Sequence, residues 1–112
     1  MNETQIAARR AARLGAVQAL YQMEVSGAST DDVIRDFSAG KLPRETEATY
    51  TESEGDLDLF TVLVEKAVER QRTLDRAIAR HLSKGWRLER IDAVARAILR
   101  AGAAELEQRR DI

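Results

Sequence analysis

Apolar residues recur at spacings of three and four through four separate stretches of this 112-residue chain, and the strict alternation of a half-buried strand is not sustained anywhere. That periodicity, with a single proline to interrupt it, confines the chain to an all-α fold. Composition agrees. Eighteen of the 49 hydrophobic residues are alanine, so the core is thin in large side chains and helices are expected to meet closely through alanine.

The first stretch predicts a helix from about Thr4 to Ser26, stopped by Gly27. Ile6, Leu14, Val17, Leu20, Tyr21 and Val25 form its apolar stripe, and Gly15 inside it marks a close approach by a backbone or a ligand. A short second helix is capped by Ser29 or Thr30, carries Val33, Ile34 and Phe37, and closes at Gly40. Residues 41–55 are acidic and threonine-rich and read as an exposed loop. A third segment begins near Asp56 with Leu57, Phe60, Leu63, Val64, Ala67 and Val68. Its periodicity continues through Leu74, Ile78 and Leu82, as one helix or as two broken near Thr73. Ser83, Lys84 and Gly85 end it. A last helix starts around Glu89 or Arg90 and carries Ile91, Val94, Ile98, Leu99, Gly102 and Leu106. The chain divides into an N-terminal subdomain, 1–72, and a partial C-terminal one, 73–112. The last helix keeps a full apolar face with no further element to cover it, so another layer or self-association into a homodimer is expected.

Several functions are excluded on residue type. Without cysteine there is no disulfide framework, thiolate metal site or cysteine nucleophile, and one histidine, His81, builds no multi-histidine cage. Ser83 is two residues from His81 and points elsewhere on a helix. There is no glycine-rich phosphate loop, so no catalytic residue, metal or cofactor is expected. No apolar run reaches the ~18 residues of a membrane span, and the reading is a cytoplasmic protein.

Charge is polarised. Residues 1–23, 24–58 and 59–112 carry +2, −7 and +4, so the basic ends suit a polyanion that the middle repels. Arg9, Arg10 and Arg13 lie within one turn of the first helix and point toward one side, as RNA-phosphate contacts or as a solvated helix start. Gln18 offers hydrogen bonds to base edges. Tyr21 either stacks on a base or joins the core. Arg72, Arg76, Arg80 and Lys84 form a basic stripe that Glu69 and Asp75 partly neutralise, and it reads mainly as a solvated face, with a second RNA or acidic-partner surface as the alternative. Trp86, among Lys84, Arg87 and Arg90, reads mainly as a core plug at a helix junction, with nucleic-acid contact as the alternative. Gly102, among alanines, reads as a close-packing patch.

The stretches RRAARLGAVQALYQMEVSG (9–27) and KGWRLERIDAVARAILRAGAAEL (84–106) resemble the first and fifth helices of the NusB family of transcription antitermination factors. Phe60, Leu74-Asp75 and His81-Leu82 fit between them. The resemblance implies a NusB-like bundle of about five helices here, in two small subdomains, the second incomplete. It implies binding of boxA-type RNA in ribosomal RNA leader transcripts and a heterodimer with ribosomal protein NusE, within the RNA polymerase antitermination complex. It favours RNA contact at Arg9, Arg10 and Arg13, with Gln18 and Tyr21 as further candidates on the same helix, and it implies a partner surface at Glu89, Asp92 and Arg96, where Asp92 and Arg96 form an i, i+4 pair. Ala104 stands where the family commonly has tyrosine, and the family continues past Ile112 with two more helices, so a truncated form is expected. Two alternatives are the NusB-like front domain of an rRNA cytosine methyltransferase and a helical interaction module.

Overall fold

A computed structural model describes residues 2–41, 56–82 and 84–108. The loop read at 41–55, apart from Lys41, and Ser83 lie outside these. Five α-helices follow in order: α1 Glu3–Ser26, α2 Thr30–Asp36, α3 Leu57–Glu69, α4 Gln71–His81 and α5 Ala93–Gln108. There is no strand among the described residues.

Each helix end has a local cause. The Asn2 side chain accepts from the Gln5 N–H at 2.8 Å while the Gln5 side chain accepts from the Asn2 N–H at 3.1 Å, a reciprocal cap. Gly27, at φ 75°, closes α1 and donates to the Met23 carbonyl. Ser29 caps α2, whose coil runs on as a π-turn, Phe37–Lys41, through the stop expected at Gly40. Asp56 caps α3 and donates its own N–H to the Ala8 carbonyl at 3.0 Å, docking the start of α3 on the basic end of α1.

The segment 56–82 is two helices. They part at Arg70 rather than Thr73: its φ of −105° and ψ of 16° end α3, while its carbonyl accepts from Leu74 and starts α4. The last helix begins later than expected. Leu88–Arg90 forms a 3₁₀ turn, and α5 starts at Ala93 after Asp92 accepts from the Val94 N–H at 2.8 Å.

The core shows which part of the helical pattern governs packing. On α1 the buried side is Ala7, Ala11, Ala12, Gly15, Ala16, Ala19 and Leu20, and α3 and α5 pack against α1. Of the stripe expected inside, Ile6, Leu14, Tyr21 and Val25 are exposed. The reason is volume: a helix wedged between two others approaches them closely only through small side chains. Ala97, Ala101 and Ala104 do the same on α5. Large side chains fill the space under α2 and α3, where Phe60, Leu63, Val33 and Val64 are fully buried and Phe37 stacks on Phe60 at 5.1 Å.

Two further expectations are corrected. Trp86 is 64% exposed, because the connection carrying it runs outside the bundle, so it plugs no core. Gly102 is exposed, and a Cβ there would meet nothing within 4 Å, so it is not a close-packing residue.

Candidate nucleic-acid interface

The outer face of α1 collects most of the residues singled out for RNA. Arg10, Leu14, Val17 and Tyr21 follow at spacings of four, three and four, which places them along one side of the helix over about 16 Å. Arg13 and Gln18 flank that line. Arg10, Arg13, Gln18 and Tyr21 are exposed and Arg9 is half-buried. Tyr21 is 39% exposed and borders a shallow groove with Val17, Gln18, Val25 and Val94.

Arg13 is the best-defined member. Its guanidinium donates from Nε and Nη2 to the Glu105 carboxylate of α5, each at 2.8 Å, in the forked geometry that arginine and carboxylate share. The side chain stays 45% exposed, so the pair orients the guanidinium without withdrawing it from solvent. The hydrogen bond to Glu105 raises the Arg13 pKa above its ordinary value, against a smaller opposing effect of burial. A raised value means that the pair's contribution is fully present below the unfolded-state pKa, and fades only as pH rises through the folded one. Arg13 is therefore a fixed cation throughout the physiological range. Glu105 was not among the residues picked from sequence. It lies 92 positions from Arg13, beyond any local spacing rule.

The expected partner surface divides. Glu89 and Asp92 are exposed on the 3₁₀ turn and at the start of α5. Arg96 points inward. It donates to the Leu88 carbonyl at 2.9 Å and the Ile91 carbonyl at 2.6 Å, and it pairs with Glu24 of α1. Its pKa is raised, chiefly by the Glu24 hydrogen bond. The Asp92–Arg96 pair does not form, because Asp92 is used as a cap and the Arg96 fork reaches across to α1. Arg100 extends the network, with two 2.9 Å bonds to Asp75 of α4. Asp75 thus turns toward α5 instead of neutralising the α4 cations, and Glu69 pairs with Lys66. Arg72, Arg76 and Arg80 remain exposed on α4.

His81 is exposed, and its Nδ1 lies 2.8 Å from the Ala77 carbonyl. Among the described residues no group of three or more His, Cys, Asp or Glu side chains could hold a metal ion, and no helix is long and apolar enough to cross a membrane.

An arginine-bearing first helix and, four helices later, the alanine-rich helix α5 stand in the order along an all-α chain that the two sequence stretches implied. The NusB family profile matches residues 10–112. The chain belongs to the NusB family. It is 48% identical over 112 residues, all of its length, to the transcription antitermination protein NusB of Caulobacter vibrioides, covering 74% of that protein. It is 48% identical over 105 residues to the protein of that name from Bradyrhizobium diazoefficiens, where 93% of this chain covers 62% of the relative. With the Maricaulis maris protein it shares 46% identity over 117 residues, with 99% of this chain on 69% of the relative. The chain thus spans roughly two thirds of the length of these NusB relatives. No solved structure matches it significantly.

Proposed function

We propose that this NusB-family chain is a non-enzymatic, cytoplasmic, RNA-binding transcription antitermination factor. Its target is boxA-type single-stranded RNA of ribosomal RNA leader transcripts, bound together with ribosomal protein NusE in the RNA polymerase antitermination complex. The observation that carries this reading is the outer face of α1, where cations at one end and an amide and an aromatic further along share a rigid, capped support. Arg9, Arg10 and Arg13 contact phosphates. Gln18 and Tyr21 meet bases, which a single strand leaves unstacked and readable. The Glu105 fork sets the direction of Arg13 before RNA arrives, which reduces the ordering cost of binding. Glu89 and Asp92 present carboxylates to the protein partner, while Arg96 braces the turn beneath them.

Fluorescence anisotropy with boxA RNA and with a shuffled RNA of equal length, each with and without NusE, tests the reading. Tighter binding to boxA and a further gain with NusE are expected. Equal affinity for both RNAs with no gain from NusE refutes the assignment.

A further inference from the structure

The connection between α4 and α5 holds a second group of features that the α1 site does not use. Trp86 is 64% exposed there, and Gly85 just before it takes φ 92°, a left-handed bend that sets the indole and Lys84 out from the bundle. Arg80, Lys84, Arg87 and Arg90 are all exposed, against Glu89 as the sole carboxylate in residues 80–90. Arg87 leans toward Glu89 at 4.0 Å. Arg80, Lys84 and Arg90 form no ion pair with another described residue. Beside the ring lies a shallow apolar shelf that includes Leu82, Ile91 and Ile98.

We propose that Trp86 is a base-stacking platform for single-stranded RNA, with Arg80, Lys84 and Arg90 drawing in the phosphates, as a second contact apart from α1. The inference rests on the RNA-binding reading and extends it. An exposed indole accepts the face of any unpaired base, and exposed cations close to it in the chain follow the backbone, so the segment suits a single strand with little sequence preference. A duplex keeps its bases stacked and offers the ring nothing. An apolar protein helix laid on the same shelf would strip water from these cations without supplying counter-charges.

Trp86 is the chain's one tryptophan, so intrinsic fluorescence reports on it directly. Titration of the full chain with an unlabelled 12-nucleotide single-stranded RNA, followed by tryptophan emission, is compared with anisotropy of the same RNA carrying a dye. Quenching that saturates in step with anisotropy is expected. Trp86→Ala weakens binding roughly 10-fold and Trp86→Phe much less, since stacking survives. Circular dichroism stays unchanged in both because the ring is outside the core. A variant with Arg9, Arg10 and Arg13 all changed to alanine still shows the quench, at higher RNA concentration. Anisotropy without quenching, together with unchanged affinity of Trp86→Ala, overturns this inference and leaves the α1 reading standing. No anisotropy change with any RNA overturns both. Emission that responds to protein concentration instead, with a dimer in light scattering, assigns the patch to a second copy and overturns the inference too.

Discussion

The packing under α2 and α3 and the packing between α4 and α5 are built on opposite terms. Under α2 and α3, Phe60, Leu63, Val33 and Val64 are wholly enclosed, and Phe37 stacks on Phe60. On α4 and α5 themselves the enclosed residues are Leu74 and three alanines of α5, while Ile98 and Leu106 are 52% and 74% exposed. Ion pairs tie α5 to its neighbours instead: Arg100 with Asp75 of α4, Arg96 with Glu24 of α1, and Arg70, between α3 and α4, with Glu107. Hydrophobic enclosure is cooperative and strong, whereas partly buried ion pairs contribute less each, because desolvation offsets their attraction. The difference concentrates the enclosed large side chains of the bundle at α2 and α3.

Phe60→Ala breaks the comparison most severely. Loss of an enclosed aromatic, with its stacking partner left beside a cavity, costs about 3–5 kcal/mol in urea unfolding. Ile98→Ala, on the open side, stays within about 0.5 kcal/mol in the same assay. A comparable loss from both would erase the distinction.

Overpacking probes the alanine seam that joins the two regions. Ala16 is fully enclosed, so Ala16→Leu forces α1 away from its neighbours and costs about 1–3 kcal/mol, read as a lower urea midpoint with an unchanged slope. This seam also marks where sequence reading succeeded and failed. The class of fold, the order of helices, a cap at Ser29 or Thr30 and a helix start near Asp56 follow from spacing and local chemistry, which are properties of neighbouring residues. Which side of α1 faces inward does not follow, because its larger residues form a stripe as regular as the alanines do. Only the distance to α3 and α5 selects the small one. The same holds for the site. Arg9, Arg10 and Arg13 are legible as a cationic cluster, but the carboxylate that orients Arg13 is contributed by α5, and no periodicity in α1 points to it. Trp86 reads as a core plug because aromatic residues at junctions are usually enclosed, and only the path of the α4–α5 connection shows this one outside.

Arg96→Leu tests whether polar bridging substitutes for volume on the open side. Removal of the guanidinium takes the side-chain donor from the Leu88 and Ile91 carbonyls and leaves Glu24 with Arg100 as its remaining cation, for a loss of about 1 kcal/mol. Hydrogen exchange should accelerate first in the 3₁₀ turn while α3 stays protected. Uniform acceleration would mean that the two regions unfold together.

The smallest change goes the other way. Gly102 sits within α5 with open space where a Cβ would stand, so Gly102→Ala stabilises the helix by about 0.4–1 kcal/mol, measurable as a raised urea midpoint. Destabilisation there would show that the α4–α5 side is packed more closely than its exposure indicates.

The central claim is that the arginines of α1 hold RNA phosphates. The salt dependence of boxA affinity, compared between the natural chain and the triple Arg9, Arg10 and Arg13 alanine variant, tests it most directly. Each phosphate contact to a single strand contributes about 0.7 to the slope of log affinity against log salt, so the variant's slope should be shallower by about 2, with its helical content unchanged. An identical slope in a folded variant would mean that these guanidinium groups do not touch the RNA.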